Sequence, residues 1–265
     1  MDDLATLRWL VEAGADEALL ETPLDRFSAL PPPPSIAAPT PARAAPVAVA
    51  KPAAPILAAP QPAAMAEQTA RAAAAAAQTL PELKVALAAF EGCSLKATAT
   101  NLVFADGNPA APILLVGEAP EAEEDRTGTP FAGEAGALLD RMLAAIGLDR
   151  TGVYIIYVVP WRPPASRKPS AADLAVCLPF ARRHIALAKP KLLVLVGETS
   201  ARSLLGTSET LFKLRGRWRD YTDPALPGPI PALTTYSPSY LLNLPAQKRD
   251  SWRDLLSIKQ KIAEL

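Results

Sequence analysis

The sequence predicts an α/β fold, a three-layer sandwich with a central, mostly parallel four-stranded sheet flanked by helices. Three observations carry that expectation. Four short apolar runs recur between residues 113 and 235, and a strand buried on both faces has that texture. Segments with helical apolar spacing separate them, and strand–helix alternation marks a parallel sheet covered on both sides. Two of the runs stop on a glycine, Gly117 and Gly197, where a chain turns out of a strand.

Taken in order, residues 1–27 carry Leu7, Leu10, Val11, Ala15 and Leu19 near helical spacing and read as a short amphipathic helical segment. Residues 28–65 are almost entirely alanine and proline. Such a tract can neither complete helix ladders nor bury a core, so a disordered linker is expected. The folded domain is assigned to 66–265. It opens with an alanine-rich helix over 66–90, broken at Pro81. Strands follow at Ile113–Val116, Val153–Val159, Leu192–Val196 and Ile230–Thr235, all rich in branched side chains. Helices are expected over 134–146, 171–188 and 199–205, with a last one from Pro245, well suited to a first helical turn, to Glu264.

Composition bounds the function. A chain of 265 residues, 50% hydrophobic, buries one full core. Its two cysteines, Cys93 and Cys177, exclude a disulfide framework and argue against a metal site built from cysteine alone. No apolar run spans a bilayer and the N-terminus lacks a basic, apolar leader, so a cytoplasmic protein with no membrane partner is expected. Zero net charge means that any nucleic-acid binding must rest on local basic patches. No Walker-type glycine loop is present, which disfavours a nucleotide or phosphate hydrolase.

In open α/β sheets the ligand crevice lies beyond the carboxyl ends of the strands, which directs attention to 118–125, 157–167, 197–199 and 236–243. Gly117-Glu118-Ala119-Pro120, then Glu123-Glu124-Asp125 and Gly128-Thr129-Pro130-Phe131-Ala132-Gly133, stand at the first of these places. Upstream lies the run from Thr100 and Asn101 to Asp106-Gly107-Asn108-Pro109; further on come Arg162-Pro163-Pro164 and Thr235-Tyr236-Ser237-Pro238-Ser239-Tyr240-Leu241-Leu242. In order and spacing these resemble the motifs of family 4 uracil-DNA glycosylases, over about residue 90 to the C-terminus. The resemblance implies hydrolysis of the N-glycosidic bond of uracil in DNA, leaving an abasic site in base excision repair. Uracil-containing DNA is the implied partner, free uracil the product and a monomer the expected state. The alternative is a catalytically weak relative that binds DNA lesions or abasic sites.

A glycosylase takes the base out of the stack and reads it between an aromatic face and polar edges. The resemblance makes Phe131 the aromatic platform and puts Gly117 and Ala119 beside the base. Glu118 and Glu124 are the carboxylates available to order water and offset charge on the sugar, while Glu123 and Asp125 read as a solvated charge run. Where the family has a uracil-reading asparagine, this chain has Tyr157, which either donates its hydroxyl or fills the pocket; both readings stand. Ser237 replaces the histidine that meets the departing base, which leaves the hydroxyls of Ser237 and Tyr157 or nearby backbone N–H groups for that task. Glu121 replaces a glycine. The single histidine, His184, reads as a surface or helix-packing residue.

For DNA contact, Arg162 and Arg167 follow the second strand, and Lys213, Arg215 and Arg217 alternate along an expected strand; such residues position a phosphate backbone. Pro238, Leu241 and Leu242 resemble the family's apolar wedge. No cofactor and no metal are expected, although most family 4 members carry an iron–sulfur cluster on four cysteines. Cys93 and Cys177 stand at two of those places, Phe90 and Trp161 at the others.

Overall fold

The structure, a computed structural model, describes residues 63–265. The helical segment expected over 1–27 and nearly all of the expected linker lie outside these residues. Helix α1 (Ala63–Ala76) takes the last three linker positions, and α2 (Leu80–Ala89) follows it. The two are separate because Thr79 caps α2, its side chain accepting from Glu82 N–H, and Pro81 sits in the first turn, where a missing N–H costs nothing. Ala66, Ala70 and Ala74 are buried at four-residue spacing, and so small a face lets α1 pack closely on α5 (Ala171–Ala188). Arg183 of α5 ties the end of α1 by donating from Nε to the Ala77 carbonyl at 2.8 Å.

The sheet comprises β1 (Asp106–Gly107), β2 (Ile113–Gly117), β3 (Tyr154–Tyr157), β4 (Leu192–Val196), β5 (Trp218–Tyr221) and β6 (Ile230–Thr235), in the order β1-β3-β2-β4-β6-β5. Its four inner strands run parallel; the edges β1 and β5 pair antiparallel. The expected four-stranded sheet is thus corrected to a six-stranded mixed one. The added edges are two residues of Asp-Gly and a charged segment, Trp-Arg-Asp-Tyr, neither of which forms an apolar run.

Helices cover both faces. Leu114, Val116, Leu193 and Leu195 pack with Leu83, Leu87, Phe180 and Ile185 from α2 and α5. Ile113, Leu115, Val194 and Val196 pack with Leu139 and Leu143 of α4 (Gly133–Ala145) and with Leu255 and Ile258 of α9 (Lys248–Ile262). Alternation of side chains along a strand places neighbours in opposite layers. Each fully buried side chain contributes about 1.5–3 kcal/mol, and an aspartate at Leu193, 0% exposed, would leave a charge without a partner in the core.

The remaining helices are α3 (Ala122–Thr127), α6 (Glu198–Leu205), α7 (Leu211–Leu214) and α8 (Pro238–Asn243). Pro245 opens a short 3-10 turn rather than α9 itself. The residues expected as a basic strand instead form α7, a single bridge from Arg215 to Thr234, and then β5. No helix among the described residues is long and apolar enough to cross a membrane.

Candidate active site

Strands β3 and β4 flank β2 on opposite sides, so the chain reverses its direction of winding between β2 and β4, the place where such sheets open a crevice. Glu118 leaves β2 there. Its Oε1 accepts from Thr199 N–H at 2.6 Å, at the start of α6, and the carboxylate lies over Gly197. A Cβ at residue 197 would stand 2.5 Å from Cδ of Glu118, and the φ of +101° also demands glycine. Among the described residues, Oε2 accepts no hydrogen bond and is free to orient water. A cavity of about 200 Å³ opens here, lined by Glu118, Ala119, Glu121, Arg167, Lys168 and Thr199.

One step along the sheet, Gly117 and Tyr157 are register partners. The Tyr157 ring lies on the bare α-carbon of Gly117, where a Cβ would meet Cε1 at 2.4 Å. It also touches the Phe131 ring, with centroids 5.1 Å apart. The Tyr157 hydroxyl accepts from Phe131 N–H at 3.0 Å and donates to Glu124 Oε1 at 3.3 Å. Burial first, and then the neighbouring Glu124, hold the phenol well above its ordinary pKa, so it keeps its proton. Burial also raises the Glu124 carboxyl, whose Oε2 accepts from Glu121 N–H at 3.0 Å. Glu124 is therefore a positioning residue for Tyr157 and the start of α3. Its expected part in ordering water is not supported by this geometry.

Phe131 adopts φ +48°, unusual for a residue with a side chain. What holds it there was not read from the sequence. Arg150 donates to the Pro130 carbonyl at 3.0 Å and the Phe131 carbonyl at 2.6 Å, and pairs with Asp106 and Asp140. Gly136 completes the clamp, since a Cβ there would lie 1.7 Å from the Phe131 carbonyl oxygen. The only sequence signal was Asp106, in the quoted upstream motif. Nothing marked Arg150.

The charge run over 123–125 divides in two. Glu123 is exposed and pairs with Arg126, as a solvated face does. Asp125 is buried and accepts from Thr100 N–H at 2.8 Å and Asn101 N–H at 3.2 Å, which corrects its reading as solvated.

Ser237 caps α8, its hydroxyl accepting from Tyr240 N–H at 3.3 Å. Pro238 and Leu241 are buried; Leu241 packs against Leu138 and Tyr236 and cannot serve as a wedge. Leu242 is half-buried and lines a cavity of about 330 Å³ together with Glu121, Glu124, Gly133, Glu134 and Ser239.

The basic residues also divide. Arg215 is committed to the fold, with Nη1 donating to both carboxylate oxygens of Asp254 at 2.8 and 3.0 Å and the guanidinium over the Tyr236 ring. Its expected DNA contact is corrected accordingly. Lys213 and Arg217 are exposed, and Arg167 bonds Asp173 while remaining exposed. Among the described residues Arg162 donates only to Ser166, at 3.4 Å. His184 is buried, meets the Tyr154 hydroxyl at 2.8 Å and stacks on Phe104, so it packs the helix layer rather than the surface. Burial pulls its pKa down to about 3, and it stays neutral.

The four positions where the resemblance implies cluster ligands share one buried core. Cys93 and Cys177 are in direct contact, Sγ to Sγ 3.9 Å, and Phe90 packs on Phe180. Two touching thiols and two aromatic rings do not fit a cluster that takes four thiolates. Among the described residues, no group of three or more His, Cys, Asp or Glu side chains is placed to hold a metal ion.

A family model for the Uracil DNA glycosylase superfamily matches residues 104–256. The chain is similar to the type-4 uracil-DNA glycosylase of Thermotoga maritima, 38% identical over 57% of this chain and 76% of that one. It is also 34% identical to that of Sulfurisphaera tokodaii, covering 69% and 84% of the two chains. For the Archaeoglobus fulgidus type-4 enzyme the identity is 34%, over 65% and 86%.

Proposed function

Because the chain belongs to the uracil DNA glycosylase superfamily, alongside type-4 relatives, we propose that it hydrolyses the N-glycosidic bond of uracil in DNA, leaving an abasic site and free uracil. The observation that carries the reading is the placement of Glu118 at the winding switch, with one oxygen fixed by Thr199 N–H and the other open to the crevice.

Scission of the bond between C1′ and the base nitrogen leaves positive charge on the sugar and negative charge on the base. A fixed carboxylate offsets the first and orients the incoming water. Phe131 supplies a ring face for the base. Near Ser237, the Ser239 N–H and the Ser237 hydroxyl are left to meet the anion, since the Tyr240 and Leu241 N–H groups are already bonded to Ser237. Neutral donors are weaker than charged ones, and slow excision follows. Arg162, Arg167, Lys213 and Arg217 are proposed to hold phosphates, and Leu242 to enter the stack.

The test is single-turnover cleavage of a uracil-containing duplex, with abasic sites revealed by alkali. Glu118→Gln, which keeps shape and loses charge, is expected to slow excision about 100-fold or more while leaving duplex affinity unchanged. A second reading, binding of abasic DNA without turnover, is favoured by the Tyr240 N–H, a donor at the start of α8, being already bonded to the Ser237 oxygen. Retention of abasic DNA with no strand cleavage would select it.

A further inference from the structure

Resting on the base-excision reading, we propose that Tyr157 is a gate seated in the base pocket, and that its phenol must swing aside before a base can enter. Three contacts place it there. The ring covers Gly117, the one point on β2 where bare backbone could meet a planar ligand, with Cδ1 and Cε1 both within 2.5 Å of where a Cβ would be. It is also in contact with Phe131. Touching aromatic rings have centroids roughly 4.5–7 Å apart, and at 5.1 Å nothing stands between these two.

The third contact is chemical. The Tyr157 hydroxyl accepts from the Phe131 backbone N–H and donates to the Glu124 carboxylate. A uracil edge offers the same pair side by side, a carbonyl that accepts and an imide N–H that donates. The phenol therefore satisfies the two groups that the base would otherwise engage. Removing the ring without a replacement leaves a buried donor and acceptor unmet, and a base entering from DNA restores both. Tyr157 thus stands in for the ligand in the closed state and competes with it for the same partners.

The experiment measures binding without chemistry. One duplex carries 2′-fluoro-2′-deoxyarabinouridine, whose glycosidic bond resists cleavage; the other carries a tetrahydrofuran abasic analogue at the same place. The full-length protein is expected to bind both duplexes nearly equally. Tyr157→Ala and Tyr157→Asn are expected to favour the uracil duplex by about tenfold or more, the order of one stacked base. Should Tyr157→Ala fail to fold, Tyr157→Phe keeps the ring and drops both hydrogen bonds, and about a threefold gain in preference is expected from losing that tether.

The gate is overturned if the unmodified protein already prefers the uracil duplex about tenfold and no variant raises the preference. Excision scored separately on an ordinary uracil duplex answers for the base-excision reading. Absent cleavage by every variant sinks that reading, while the binding ratios still decide the gate.

Discussion

Replacing Arg150 by alanine tests whether the Phe131 platform is held from behind. Phe131 sits at φ +48°, and a left-handed residue with a side chain costs roughly 1–2 kcal/mol. Arg150 offsets this by donating to the carbonyls on either side of that residue's nitrogen, at 3.0 and 2.6 Å. A hydrogen bond from a charged donor contributes about 1.5–3 kcal/mol. The guanidinium is 26% exposed, so the lower end applies to each, and water meets part of the loss. Asp106 and Asp140, 30% and 51% exposed, regain hydration when the arginine goes.

The expected loss for Arg150→Ala is therefore about 2–3 kcal/mol of unfolding free energy, read from urea titration. Single-turnover excision should fall together with it, because the released turn relaxes toward negative φ and carries off the Phe131 ring, whose Cζ lies 2.9 Å from where a Cβ on Gly117 would stand. Arg150→Lys keeps the charge but not the planar fork, and should fall between the two. Unfolding free energy within about 0.5 kcal/mol of the parent, with excision unchanged, would refute the clamp.

Other predictions follow from the same geometry. His184 is neutral in the folded protein down to about pH 3, whereas the unfolded chain protonates it near pH 6.5. Below that pH the unfolded state binds the extra proton, so stability is full above pH 6.5 and falls by about 1.4 kcal/mol per unit toward pH 3. His184→Gln should flatten the drop in urea midpoint between pH 7 and 5. Arg215→Ala strands Asp254, 2% exposed, and should cost about 3 kcal/mol of stability. Arg217→Ala on the open surface should leave stability alone and reduce the salt slope of duplex binding by about one. Ser237→His puts a stronger donor at the start of α8 and should raise the single-turnover rate or preserve it, and a tenfold fall would show that the hydroxyl itself is required.

Much of this architecture is legible in residue order alone. The inner strands are apolar because both faces are covered, and Leu192–Val196 and Ile230–Thr235 coincide with their expected bounds. The edges are not legible, since Asp106–Gly107 is a strand only through its pairing with β3. The motif around Gly117–Pro120 borders a cavity, because a glycine ending a buried run has a local meaning. Tyr157 remained open between two readings until register set it against Gly117.

Tertiary partners account for the misplaced residues. Leu241 and Leu242 look alike in sequence, yet helix α8 turns one into the core and the other toward a cleft. Arg215 looks like its basic neighbours until Asp254, 39 residues on, claims it. Arg150 could not be found because the carbonyls it clamps have no side-chain signature and its partner Asp106 lies 44 residues away.

The most direct measurement is single-turnover excision on a uracil-containing duplex with the protein in excess, comparing the parent with Glu118→Gln and Phe131→Ala. The account predicts slow cleavage at the uracil by the parent, strongly reduced in both variants while duplex affinity persists in Glu118→Gln. No alkali-sensitive site on any uracil substrate, or cleavage equally fast in all three proteins, would contradict it.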